Sequence, residues 1–265
     1  MSAAGTILVT GGTGTLGRPL VVRLRDAGRQ VRALSRHGGE AAEGVEHVTG
    51  DLIAGAGIDA AVEGAEVIVH CAGTRGGKDD ETQTQNLVDA AARHATPHLV
   101  LISVVGADRV PVSSRFDRAA FGYFAAKLAT ERVVAASGLP WTTLRAAQFH
   151  DLTLATVRMM AKLPLIPVPA AVRFQPIDAG EVADRLAELA LGEPAGLVAD
   201  VAGPRTYEMA ELIRSYLRAA GKRRPLVRVP LPGKAAAAIR AGATLAPDRA
   251  VGRRTWEEFL ADELG

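Results

Sequence analysis

Three glycines at a spacing of three, Gly11, Gly14 and Gly17, lie between the apolar run "TILVT" (6–10) and the amphipathic run "RPLVVRLRDAG" (18–28), with Gly12 beside the first. Ordered glycine loses more backbone freedom on folding than any other residue, so this concentration needs a reason. The flanking runs supply one. The first reads as a strand. The second places Leu20, Leu24 and Ala27 on one helical face, with Pro19 suited to the first turn and Gly28 to the end. A bare turn between strand and helix lets backbone N–H groups meet an anion such as a pyrophosphate at the positive helix end. A side chain on Gly14 would hold the phosphates away, and Thr15 belongs to the same expected cofactor-binding turn. The G-x-x-G-x-x-G spacing departs from the plain G-x-G-x-x-G fingerprint, and the simpler alternative is a glycine-rich turn that holds nothing.

The alternation continues. Strands are predicted over 30–36, 45–52, 66–73, 98–106 and 141–147, and helices over 57–63, 81–95 and 123–138. Repeated strand–helix units imply an α/β fold, a doubly wound, Rossmann-like parallel sheet with helices on both faces. Past residue 150 the rhythm loosens. Pro164, Pro167 and Pro169 mark a loop-like stretch. A helix over 179–192, a strand over 196–203, a helix over 206–221 and an apolar helix over 233–246 follow. Thr206 is the expected N-cap of the third of these, without a capping box because Met209 stands at the third helical position. The expected organisation is a dinucleotide-binding region (1–150) and a smaller substrate-binding or cap region (151–265), integrated into a single domain.

Composition narrows the function classes. A chain of 265 residues, 48% hydrophobic and 23% charged, suits a globular enzyme. One cysteine, Cys71, excludes an intramolecular disulfide and a cysteine metal cluster, and the acids and histidines show no metal-ligand spacing, so no metal is expected. The N-terminus lacks the pattern of a signal peptide and no apolar run approaches membrane-spanning length, so the expected location is cytoplasmic, without a membrane partner. The net charge of +2 hides a basic stretch: residues 214–254 hold eleven Lys or Arg against one acid, Asp248. With Tyr216 as its one aromatic, that stretch lacks the stacking residues of a single-strand binder, so a solvated surface is the plainer reading and no nucleic acid is expected.

The residue ending the second strand selects between dinucleotides. An acid there would grip a ribose 2′-hydroxyl, but the strand ends on Ser35 and Arg36, 19 residues past Gly17. A guanidinium pairs with a 2′-phosphate, so NADP(H) is expected over NAD(H), with Ser35 as an added donor. Asp51 is placed to accept from the adenine amino group, with Leu52 against the ring. The small residues Cys71, Ala72, Gly73 and Thr74 end the fourth strand, where they would line the cofactor.

Tyr123 and Lys127 stand four apart in a predicted helix and share one face. A nearby ammonium favours the phenolate, which tunes the tyrosine to exchange a proton with a carbonyl or alcohol oxygen. Ser103 ends the preceding strand and would hold the substrate oxygen. It lies 20 residues before Tyr123, leaving Ser113 or Ser114 as substitutes and leaving open that Tyr123 is only an aromatic over the cofactor. His150 falls where a substrate pocket should form, although packing or capping is the commoner use of such a histidine.

The segments "VTGGTGTLG", "ISVVGAD", "YFAAKLATERVVAASGLPWTTLRAAQFHD" and "FQPIDAGEVA" resemble the atypical short-chain dehydrogenase/reductase superfamily, in particular its NmrA-like, NAD(P)H-binding members. The resemblance covers nearly the whole chain. It implies that Gly11, Thr13, Gly14, Leu16 and Gly17 hold the pyrophosphate, Arg36 the 2′-phosphate and Lys127 the ribose. It also implies that residues 146–151, with Gln148, Phe149 and His150, pass near the nicotinamide and the substrate. The expected function is an NADPH-dependent oxidoreductase, transferring hydride to a carbonyl, quinone or activated double bond of a small molecule, as a monomer or homodimer. The alternative is a non-catalytic NADP(H) redox sensor that regulates a protein partner.

Overall fold

A computed structural model describes residues 5–39, 43–74, 76–94 and 96–265. Residues 1–4, part of the N-terminus expected to lack a signal peptide, and residue 95, the end of the helix expected over 81–95, lie outside them. The first half runs β1 (Thr6–Thr10), α1 (Gly17–Asp26), β2 (Gln30–Ser35), β3 (Val45–Thr49), α2 (Ile58–Val62), β4 (Ala65–His70), α3 (Asp80–Arg93), β5 (His98–Val104), α4 (Arg115–Ala135) and β6 (Trp141–Ala146). The second half runs α5 (His150–Met160), β7 (Ile166–Pro169), β8 (Arg173–Phe174), α6 (Ala179–Leu191), β9 (Gly196–Leu197), β10 (Tyr207–Glu208), α7 (Met209–Ala219), β11 (Leu226–Val229), α8 (Lys234–Arg240) and α9 (Trp256–Leu264).

The central sheet has seven strands in the order β3-β2-β1-β4-β5-β6-β9. β1 pairs in parallel with both β2 and β4, β2 with β3, and β4 with β5. Ile7, Leu8 and Val9 are fully buried, as an uninterrupted apolar run in a covered parallel strand requires. The chain winds outward from β1 in one direction through β2 and β3, then in the other through β4, β5 and β6. Such a reversal, here between β1 and β4, is where ligands of doubly wound sheets bind, beyond the carboxyl ends of the strands.

The chain forms two compact units that alternate along the sequence. One comprises 1–103, 126–144 and 180–198, the other 104–125, 145–179 and 199–265. Leu8, Leu34, Ile68, Leu87, Leu99 and Val134 anchor the core of the first. Leu154, Ile166, Tyr207, Ile213, Trp256 and Phe259 anchor that of the second.

Several local features differ from the sequence expectations; the helix expected over 233–246, for one, ends at Arg240, and α5 is not among the expected helices. First, α4 begins at Arg115, eight residues before the predicted start. Ser114 Oγ accepts the Asp117 amide at 2.9 Å and the Asp117 carboxylate accepts the Ser114 amide at 3.1 Å, a reciprocal cap written in "SSRFD". Second, the N-cap of α7 is Glu208, not Thr206, and the Glu211 carboxylate takes the Glu208 amide at 2.7 Å, so a box is present. Third, the strand predicted over 196–203 is regular only at its first two residues. The Val201 amide still bonds the Arg145 carbonyl, but the Ala202 amide turns to Arg249 and the Gly203 amide to Gln175, which breaks the ladder.

Fourth, the proline-marked stretch is not a loop: β7 pairs in parallel with β11. The amides of Ile166 and Ala170 bond carbonyls of Pro225 and Val229. Pro167 and Pro169 occupy the alternate positions, whose missing N–H groups would face away from the ladder. An edge strand tolerates proline there.

Candidate active site

The glycine turn is built as its spacing requires. The Gly11 amide bonds the Leu34 carbonyl at 3.1 Å and the Gly14 amide bonds the Gly11 carbonyl at 2.9 Å. Gly11 has a positive φ of 68°, and a Cβ on it would lie 2.9 Å from the Ala72 amide nitrogen. A Cβ on Gly17 would sit 2.1 Å from the Gly11 carbonyl oxygen, so only glycine lets α1 start against the turn. Gly14 is exposed, and a Cβ there would meet nothing nearer than the Gly11 oxygen at 3.2 Å. Leu16, the N-cap of α1, supplies no side-chain cap, and the first turn holds no acid. A bare, uncapped helix start with space before Gly14 has the donor chemistry of a diphosphate cradle.

Thr13 is half-buried and Thr15 exposed along the same turn. Arg36 is exposed immediately beyond β2. Ser35, expected as an added donor, gives its hydroxyl proton to the Gly38 carbonyl at 2.6 Å and closes the turn after β2. Asp51 accepts the amides of Ile53 and Ala54 at 2.7 and 3.2 Å, folding the turn after β3. Leu52 packs into the core of the first unit rather than standing out as a platform.

Beyond β4, Cys71–Thr74 leads toward α3. The Cys71 thiol is pushed up to about 12 by burial, with the opposing charge of Lys127 a smaller effect, so it stays protonated. The Ala72 amide bonds Thr10 Oγ1 at 3.2 Å. Asp80, the first residue of α3, then organises the segment. Its Oδ1 accepts the Thr74 amide at 2.7 Å and the Thr74 hydroxyl at 2.9 Å, while Oδ2 lies 3.1 Å from Lys127 Nζ. The two side chains are 2% and 8% exposed, a buried ion pair. A Cβ on Gly73 would lie 3.3 Å from both Asp80 Oδ2 and Lys127 Nζ, so glycine leaves space beside the pair.

His70 underlies this corner, its ring nitrogens 2.7 Å from Thr10 Oγ1 and 3.2 Å from Thr84 Oγ1. Burial, reinforced by the Lys127 charge, drives its pKa down to about 3, so the ring is neutral.

The helix α4 carries Tyr123, Lys127 and Glu131 at intervals of four, hence along one face. Tyr123 is half-buried and meets Phe124 edge-on, with ring centroids 6.0 Å apart. Ser103, expected to hold a substrate oxygen, is buried and donates its proton to Glu131 Oε1 at 2.5 Å. Ser113 and Ser114 both point their hydroxyls at Asp117, in the cap of α4. Gln148 and Phe149 are half-buried ahead of α5, where the Gln148 carbonyl accepts the Ile177 amide at 3.1 Å. His150 is fully buried, stacked on Phe259 and Trp256, with Nε2 3.1 Å from the Arg254 carbonyl oxygen. Burial lowers its pKa. Its Nδ1 is buried without a hydrogen-bond partner among the described residues.

Sequence reasoning missed Asp80 and Glu131. An acid at a helix start reads as ordinary dipole compensation, and nothing in "KDDET" announces a partner 47 residues away. Glu131 left a trace, since it extends the Tyr123 and Lys127 spacing by one more turn. Among the described residues, no group of His, Cys, Asp and Glu could hold a metal ion, and no helix is long and apolar enough to cross a membrane.

Comparison with known proteins places the chain in a family. The profile of a family described as NAD(P)H-binding matches residues 11–167. An uncharacterized protein of Mycobacterium tuberculosis is 28% identical over 189 residues, 70% of this chain but 20% of that protein. The chain thus spans about a fifth of the length of that relative. The ceramide reductase of Caulobacter vibrioides is 30% identical over 248 residues, covering 87% of this chain and 75% of that enzyme. The NADPH complex of an Escherichia coli NADPH-dependent quinone oxidoreductase superposes with a TM-score of 0.79 at 18% identity, over 98% of this chain and 100% of the other. That likeness is one of fold.

Proposed function

The chain belongs to the NAD(P)H-binding family, and from that premise we propose that it is an NADPH-dependent reductase of a small carbonyl, quinone or activated alkene. The observation that carries the reading is the corner beyond β1 and β4, where a glycine-rich turn lies beside a buried Lys127–Asp80 pair. The turn residues Gly11–Gly17 would hold the diphosphate, Arg36 the 2′-phosphate, and Lys127 the ribose. Bound there, reduced nicotinamide supplies the electron pair that reduces the substrate. The ceramide reductase relative and the quinone oxidoreductase fold support a reductase as the class.

The residues of the chain handle the proton. Tyr123 gives its hydroxyl proton to the substrate oxygen as negative charge develops there, and the Lys127 ammonium one turn along stabilises the phenolate that remains. Asp80 fixes the position of that ammonium. Ser103, whose hydroxyl donates to Glu131 Oε1, keeps oxygen lone pairs that can accept from a donor on the substrate.

Two measurements test the reading. NADPH consumption with a panel of quinones, aldehydes, ketones and enones should depend on the substrate; no turnover across the panel contradicts an enzyme. Calorimetric titration of Arg36→Ala should show NADP⁺ affinity reduced by about tenfold or more, the scale of a charge-assisted hydrogen bond, and NAD⁺ affinity almost unchanged. Equal losses for the two nucleotides would remove the 2′-phosphate assignment.

A further inference from the structure

We infer that the end of α7 and the loop leading into β11 form a second anion site, which takes a short chain of linked phosphates. Arg214, Arg218, Lys222, Arg223 and Arg224 line one concavity of about 600 Å³, and no acidic side chain lines it. All five are exposed. Elsewhere Arg23, Arg32, Arg93 and Arg254 each face a carboxylate, and Arg205 and Arg228, on either side of this stretch, face Glu257 and Glu208. Among the described residues, none of the five lining cations has an ion-pair partner. Their contacts are neutral: Arg218 Nη2 donates to Ser215 Oγ at 3.1 Å, Arg224 Nη1 to the Arg223 carbonyl at 2.9 Å, and Lys222 Nζ lies over the Tyr216 ring.

The cations are not needed to finish the helix. Gly221 adopts a φ of 61°, its amide bonds the Arg218 carbonyl, and the Lys222 amide bonds the Leu217 carbonyl at 2.8 Å. That backbone motif already satisfies the last carbonyls. The loop is also tied down at its far end, where the Pro225 carbonyl accepts the Ile166 amide at 2.9 Å and β11 begins its ladder with β7. Five like charges held within eleven residues repel one another, and a multivalent anion relieves that repulsion.

Four of the five are arginines, whose forked guanidinium matches phosphate oxygens in pairs. One phosphate can engage only a part of this wall, whereas linked phosphates can span it. Tyr216, the aromatic of this stretch, is buried, so there is no stacking platform for a single-stranded nucleic acid.

The test is calorimetric titration of the protein, first saturated with NADP⁺, using sodium tripolyphosphate, ATP and phosphatidylserine vesicles as probes. Tripolyphosphate should bind one to one, and more weakly as salt rises because charge carries the affinity. The double variant Arg223→Glu/Arg224→Glu should bind about tenfold or more weakly, on the scale of the charge-assisted contacts removed, with an unfolding midpoint like that of the wild type. Arg214→Glu, on α7, gives a second reading of the same loss. ATP binding alongside tripolyphosphate identifies nucleotides as one source of the phosphate chain, and tripolyphosphate alone identifies the inorganic one; both results support the site. The inference is overturned by any of four results: no binding of either phosphate chain, affinity unchanged in both variants, ATP bound without tripolyphosphate, or vesicles bound more tightly than tripolyphosphate. Loss of tripolyphosphate binding specifically on saturation with NADP⁺ also overturns it, by assigning the phosphates to the glycine turn.

Discussion

Tyr123→Phe should lower kcat for NADPH-dependent reduction by about 10²–10⁴-fold, the range contributed by a positioned general acid. The substitution keeps the ring, its half-buried setting and its edge contact with Phe124, and removes one oxygen. NADPH affinity should therefore stay within about twofold, because the group removed serves the proton step and not the phosphates. Stopped-flow or steady-state assays at saturating NADPH, paired with a direct binding titration, separate the two effects. A kcat unchanged within about threefold would mean that the proton comes from elsewhere and that Tyr123 is an aromatic beside the cofactor.

Asp80→Ala should destabilise the fold far more than Tyr123→Phe or Arg36→Ala. It leaves the Lys127 ammonium in a site where that side chain is 8% exposed, and it removes the acceptor of both the Thr74 amide and the Thr74 hydroxyl. Removing one partner of a buried ion pair costs about 3–5 kcal/mol, because an uncompensated charge stays in low dielectric. In a chain of this size that corresponds to a fall in Tm of about 6–20 °C. Asp80→Ala combined with Lys127→Met should recover part of the loss, since the orphaned charge is then gone. Urea and thermal unfolding of the wild type and both variants measure this. A loss below about 1 kcal/mol would show that Lys127 relaxes to solvent and that the pair does not fix it.

How far the sequence reveals this arrangement depends on the range of the interactions involved. The glycine turn is legible because its constraint is local: three missing side chains between a strand and a helix point to a close approach at that turn. The sheet is legible because Ile7, Leu8 and Val9 are apolar at consecutive positions, as a strand covered on both faces requires. The Tyr123–Lys127 spacing is legible because it, too, is local.

What lay beyond reach is long-range or context-dependent. Asp80 gains its role from Lys127, which reaches it through the fold and not through the sequence. Ser103 and Ser35 look like free hydroxyls in sequence, yet Glu131 and the Gly38 carbonyl take their protons. Pro167 and Pro169 read as breakers until β11 is seen on one side of β7 alone, where alternate prolines leave the ladder whole. The cap of α4 could have been read in "SSRFD", but the long interval between Ser103 and Tyr123 reads more readily as an insertion.

The measurement closest to the centre of this account is the uptake of NADPH, followed by fluorescence or calorimetry, in the wild type and in Gly14→Val. Gly14 is exposed and has no positive φ; a Cβ there presses on the Gly11 carbonyl oxygen at 3.2 Å, so thermal unfolding is measured alongside, while the branches of valine fill the space before the first turn of α1. The account predicts saturable one-to-one binding by the wild type and its loss in the variant. Binding by neither protein, or equal binding by both, would contradict it.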